Sequence, residues 1–228
     1  MAKKSFKPAT MLAPLPATMV SCGSVENGTD NIITIEWTGI INSVPPRTYV
    51  SVTPQRHSHH IIKESGEFVI NLVPQELAAA MDWCGCVSGS KEHKFGKHCL
   101  KSGPDGALEF RLTPEPAEKV SCPAIKESPV QLECKVFEVK QLGSHDMFLA
   151  DIVNVRVDES IVNGEGRVMF EKLGLVSVIH GSYYSAPGAR IGRMGYSVMK
   201  PSTAKKISAQ QRAKHLIRKQ GKEKFDKG

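Results

Sequence analysis

The sequence predicts a mostly β fold, a β-barrel with a few short helices, on three observations. Short runs rich in β-branched residues recur between turn signals, helical patterns are few and brief, and the two kinds of segment do not alternate in a βαβ rhythm. Closure into a barrel is the arrangement that leaves no unpaired strand edge.

Strands are expected at 17–23 (ATMVSCG), 31–40 (NIITIEWTGI), 47–54 (RTYVSVTP), 67–73 (EFVINLV) and 107–112 (ALEFRL). Two longer ones, 129–142 and 146–157, are joined through Gly143-Ser144-His145 and read as a hairpin. In the first of these, Val130, Leu132, Cys134 and Val136 alternate with Gln131, Glu133 and Lys135, which predicts one buried and one wet face. Helical signals are limited to a turn and a half capped by Ser58 and ended by Gly66, and to Gln75 through Met81 after Pro74.

The chain of 228 residues carries a net charge of +7. Residues 201–228 hold nine Lys or Arg against two acids, so the excess belongs to them and residues 1–200 are balanced. This predicts a domain at 1–200 followed by a lysine-rich C-terminal helix or tail at 201–228. The pI of about 9.1 therefore describes the tail and not the fold. Pro8, Pro14 and Pro16 interrupt any apolar run that could act as a signal core, and no run of 18 apolar residues exists. A soluble cytoplasmic protein is the expectation, with no membrane partner and with Cys22, Cys84, Cys86, Cys99, Cys122 and Cys134 as free thiols.

The search for chemistry excludes several classes. The stretch from Gly188 to Gly195 is glycine-rich but follows no first strand of a βαβ unit, and the segment from Gly89 to Lys97 misses the Walker spacing. Cys84-Gly85-Cys86 with Cys99, His93 and His98 lacks the paired spacing of a structural zinc site. No metal is expected. Lysines 91, 94 and 97 leave a redox role for these thiols open, because nearby cations lower a thiol pKa. His57, His59 and His60 read as the start of a helix beside an anion, where they supply donors and optional charge.

The sharpest signal lies in 31–72. Asn31-Ile32-Ile33-Thr34-Ile35-Glu36-Trp37 is followed by Pro45-Pro46, by Ser51-Val52-Thr53-Pro54-Gln55-Arg56-His57-Ser58-His59-His60, and by Gly66-Glu67-Phe68-Val69-Ile70-Asn71-Leu72. This order resembles the flavin reductase-like family, and its flavoredoxin branch in particular. Pro14-Leu15-Pro16-Ala17-Thr18, Ser88-Gly89, Lys94-Phe95 and His180-Gly181-Ser182-Tyr183-Tyr184 continue the likeness across residues 10–200.

The resemblance implies an FMN-binding split β-barrel that works as a homodimer. It further implies an oxidoreductase passing electrons between a donor, NAD(P)H or a reduced carrier protein, and flavin or a downstream acceptor. The flavin itself carries the chemistry. Asn31 and Thr34 are then expected at the polar edge or ribityl chain, and Trp37 as a wall for the ring. Arg56, Ser58, His59 and the extra donor Thr53 are expected around the phosphate, with Lys94 offsetting negative charge. A competing reading makes the chain a nucleic-acid-associated module acting through its basic tail.

Overall fold

The computed structural model describes residues 1–103, 106–191 and 196–199. The chain divides into two units, Met1–Gly188 and Ala189–Gly228. The lysine-rich segment 201–228, and residues 192–195 of the glycine-rich stretch, lie outside the described residues.

The first unit is built on a seven-stranded antiparallel sheet. Its strands are β2 (Thr18–Cys22), β3 (Asn31–Ile35), β4 (Thr38–Ser43), β5 (Pro46–Val52), β6 (Glu67–Leu72), β11 (Val130–Gln141) and β12 (Asp146–Val157), in spatial order β3-β2-β6-β11-β12-β5-β4. A short β1 (Leu15–Pro16) pairs with β13 (Leu175–Ile179), which pairs with β14 (Ser182–Ala186). Two further ladders join β7 (Gly96–Gly103) to β8 (Gly106–Leu112) and β9 (Pro114–Glu115) to β10 (Ala124–Ile125). The sheet curls until the chain after β3 meets β5, where the Ser51 amide donates to the Trp37 carbonyl at 3.0 Å. Ile33–Ile35 of β3 and Ser51–Val52 of β5 border a common seam.

The 129–142 and 146–157 hairpin forms as expected. The predicted strand 31–40 does not run through. It breaks at Glu36-Trp37, so that Trp37 sits on a turn between β3 and β4. Strands β7, β13 and β14 are not among those expected from the sequence, although Leu175–Ile179 (LVSVI) carries the β-branched run that marks one.

Helix α1 (His57–Ser65) ends at Gly66, whose φ of 68° is a left-handed cap that a side chain would strain. Its N-cap is Arg56 and not Ser58, which lies inside the first turn. The second helical segment begins as a tight turn at Gln75–Leu77 and continues as α2 (Ala78–Cys86), so Cys84-Gly85-Cys86 is helical.

Strand β2 is buried on both faces. Val20 and Cys22 point into the barrel with Ile33, Val50, Phe68 and Phe148, and α1 closes that core with Ile61 and Ile62. Met19 faces the other way, into a second core with Ile32, Met81, Phe95 and Ile125 beneath α2.

The alternation expected along β11 fails at Gln131 and Glu133, both of which are buried. The reason is a strap, residues 113–128, laid over that face and held by barrel side chains. Glu133, at 0% exposure, accepts the amides of Glu118 (3.0 Å) and Lys119 (2.6 Å) and the Asn154 amide group (3.2 Å). Asn71 accepts the Ile125 amide at 2.9 Å, and Glu67 accepts the Ser121 amide at 2.7 Å. Glu133→Ala strands the two backbone donors, and an expected loss of about 2–4 kcal/mol follows from their desolvation without a partner. Urea unfolding should show a lower midpoint at unchanged slope.

Candidate functional site

Two clefts open along the seam. The first, about 320 Å³, is lined by Asn31, Ile33, Thr53, Gln55, Arg56, His57, Ser58, Cys84, Val87, Ser88, Gly89 and Lys94. The second, about 270 Å³, is lined by Ile33, Thr34, Ile35, Glu36, Trp37, Ser51, Val52, Thr53, Arg56 and His145. Ile33, Thr53 and Arg56 belong to both, so the clefts adjoin.

The first cleft is organised around the start of α1. A helix begins with backbone N–H groups that have no partner within the helix, and no side chain caps this one. Arg56 spends one guanidinium hydrogen on the Gly85 carbonyl at 3.2 Å. Its remaining donors are available to a ligand. Ser58 is held from behind, where the Asn31 amide donates to its hydroxyl at 2.7 Å.

Lys94 is 2% exposed and donates to the carbonyls of Ile32 and Cys84, both at 2.6 Å. These two bonds use two of its three hydrogens. Burial pushes its pKa below the usual lysine value, and Arg56 adds to that depression. Burial, with His60 and Lys94 adding to it, also holds the His57 imidazole below its ordinary range.

Among the described residues no Asp or Glu lines this cleft. An uncapped helix start, a guanidinium and a buried ammonium, with no carboxylate to neutralise them, form a donor set that fits a phosphate monoester.

The second cleft is flatter and mixed in character. Trp37 is 37% exposed and stacks on His145, ring centroids 4.5 Å apart at 34°. Thr34 donates its hydroxyl to the Met81 carbonyl, which fastens β3 to α2. An aromatic wall facing a strand with polar edges suits a planar heterocycle.

Of the residues singled out in the sequence, Asn31, Thr53, Arg56, Ser58 and Lys94 meet in the first cleft, and Thr34 and Trp37 in the second with Thr53 and Arg56. His59 lines neither. Its Nε2 lies 2.8 Å from the Asp146 carboxylate, in a pair shielded from solvent. Helical geometry explains this: two residues on from His57, its side chain points to a different face of α1.

His145 is the residue the sequence reading passed over. A polar residue in a hairpin turn carries no sign that the turn folds back onto Trp37. The thiol expectation also changes, because burial pushes Cys84 up to about 12 and outweighs the opposing pull of Lys94. At neutral pH it is a thiol, a poor nucleophile. Among the described residues no group of His, Cys, Asp or Glu could hold a metal ion.

Gly89 has a steric role. A Cβ there would lie 2.1 Å from Asn31 Oδ1 and 2.7 Å from its Nδ2. The Asn31 amide is buried against Ser58 and has little room to retreat. Gly89→Ala is therefore expected to cost about 1–3 kcal/mol of overpacking. It should also weaken phosphate-ligand binding, and thermal unfolding with ligand titration checks both.

A model of the flavin reductase like domain matches residues 11–174. Flavoredoxin of Desulfovibrio vulgaris (Miyazaki F) superposes with a TM-score of 0.73 at 27% identity, covering 87% of this chain and all of that one. An FMN-binding protein from Thermus thermophilus with bound 1-cyclohex-2-enone gives 0.63 at 20% identity, over 85% of this chain and 98% of that one. The reductase component of 4-hydroxyphenylacetate 3-monooxygenase from Escherichia coli is 22% identical over 134 residues, 58% of this chain and 68% of that one.

Proposed function

The chain belongs to the flavin reductase-like family, and from that premise we propose that its adjoining clefts hold FMN, phosphate at the start of α1 and ring against Trp37, for electron transfer between a reduced donor and an acceptor. The fold is the split barrel of that family, and the associated chemistry is flavin-linked oxidoreduction. One observation carries the choice of a mononucleotide. Arg56, the buried Lys94 and the uncapped α1 converge where no carboxylate lines the wall, and that cleft opens directly into the one walled by Trp37 and His145.

Bound FMN would supply the redox chemistry, taking up a hydride or single electrons and releasing them to an acceptor. The protein's part is orientation and charge. Arg56 and the first-turn amides of α1 fix the phosphate, and Asn31 keeps the Ser58 hydroxyl turned toward it. Thr53 offers a further hydroxyl at the junction. The ammonium of Lys94, trapped between two carbonyls, balances negative charge in a site where water screens poorly. Trp37 and His145 bound one side of the ring-side cleft, and its open side is where NAD(P)H or a reduced carrier protein would approach.

The experiment is a titration of flavin-free protein with FMN and with riboflavin. FMN should bind the more tightly by the worth of the phosphate contacts, and anaerobic bleaching by NADH or NADPH would identify a nucleotide donor. Protein that takes up neither flavin would sink the reading.

A homodimer is part of the proposal. Ile40, Ile41 and Val44 on and beyond β4 are exposed, as is Phe137 on β11, where the Arg47 guanidinium lies 4.3 Å from the ring centroid. So much exposed apolar surface is what a self-complementary interface uses. Val44→Glu with Phe137→Glu should then give a monomer by sedimentation.

A further inference from the structure

The placement of His145 is not explained by its own contacts. Its ring has a tilted stack on Trp37 and a bond from Nδ1 to the adjacent Ser144 hydroxyl at 2.9 Å, both near the surface. The next residue, Asp146, is anchored far more firmly. It opens β12, pairs in register with Val52 of β5 and Gln141 of β11, and meets His59 Nε2 at 2.8 Å, with side chains only 7% and 8% exposed.

His59 in turn stands in the first turn of α1. Its amide donates to the Arg56 carbonyl at 2.9 Å and its ring packs edge-on against Phe148, centroids 5.2 Å apart. The pair thus spans from the element that begins at Arg56 to the hairpin tip that carries His145. Breaking it by removing one partner would leave a buried polar group unpaired, which favours keeping the link intact.

We propose that His59 and Asp146 are positioning residues that hold His145 against Trp37 and so set the shape of the ring-side cleft. This deepens the flavin reading and rests on it for its functional meaning, while the geometry it asserts can be tested without flavin. His59 acts here through the hairpin and not through phosphate. A shift of Asp146 carries the neighbouring imidazole with it, which opens the wall against which a planar ring would pack. The phosphate-side donors stay where they are.

The reporter is Trp37, which becomes the sole indole in a Trp83→Phe background. Contact with the imidazole is expected to dim its emission, and His145→Ala in the same background sets the level without that contact. The double variant His59→Leu with Asp146→Leu removes both partners and strands no charge. It is expected to brighten toward that level. Asp146→Asn keeps an acceptor for the His59 N–H and is expected to stay as dim as the parent.

FMN affinity is measured in parallel. The double variant should lose about 10-fold, as expected for one disturbed wall of the ring site at 1.4 kcal/mol, with Asp146→Asn restored. A folded double variant as dim as its parent, or Asp146→Asn as bright as the double, overturns the proposal. If the double variant does not fold, Asp146→Leu alone, which strands no carboxylate, is read by the same criteria. A parent protein that binds no FMN refutes the flavin assignment, and the emission result still decides the positioning role.

Discussion

Arg56→Ala is expected to weaken FMN binding by about 1.5–3 kcal/mol, the worth of a hydrogen bond to a charged group, or roughly 10-fold to 160-fold in Kd. The guanidinium belongs to both clefts, so the loss could arise on either the phosphate or the ring side. Riboflavin, which lacks the phosphate, separates them: its affinity should change little if Arg56 serves the phosphate. Arg56→Lys should recover only part of the loss, because an ammonium keeps the charge without the forked donor geometry. The side chain is exposed at the cleft mouth and, among the described residues, is anchored by the Gly85 carbonyl alone. Its removal should therefore leave stability nearly unchanged, and unchanged FMN affinity would refute its role.

The fold was legible where local chemistry and tertiary structure agree. The hairpin of 129–142 and 146–157 announced itself by period-two alternation and a Gly-Ser-His turn, and α1 by its Gly66 stop. The reading failed where a distant segment changes what a face touches. Glu133 looks like a solvent residue until the 113–128 strap covers it and turns its carboxylate into an acceptor for two backbone donors. Strands β7 and β14 were missed because their sequences are polar, and pairing rather than patterning makes them strands.

The site divides along the same line. Arg56 and Ser58 could be found because a turn leading into a helix start is a local motif with a known use. Lys94 was found through family likeness, since no pattern in the sequence says that a lysine so far along the chain from β3 will be buried beneath it. His59 was grouped with its neighbours because adjacency in sequence reads as adjacency in space, whereas on a helix successive side chains diverge. His145 needed the hairpin to fold back onto Trp37, a long-range event with no sequence mark.

Lys94→Met is the substitution with the largest expected effect, and its signature is pH dependence. At neutral pH the loss of the ammonium should weaken FMN binding by about 2–3 kcal/mol, roughly 30-fold to 160-fold. Burial depresses the lysine pKa below its ordinary 10.5. Between that depressed value and 10.5 the folded chain binds fewer protons than the unfolded one, so stability should rise with pH across this window as the buried charge is relieved. FMN affinity should move the opposite way. A phosphate favours the ammonium, so binding raises the lysine pKa and weakens as the pH climbs through the depressed value toward 10.5. The methionine variant has no proton to lose and should flatten both slopes at once. Its two carbonyl partners, Ile32 and Cys84, lose their donor, but the burial cost of the charge disappears with it, so the variant is expected to fold. Urea midpoints and FMN titrations from neutral to alkaline pH give both slopes. If affinity still falls along the same curve in the methionine variant, the titrating group lies elsewhere and Lys94 is not the cation beneath the phosphate.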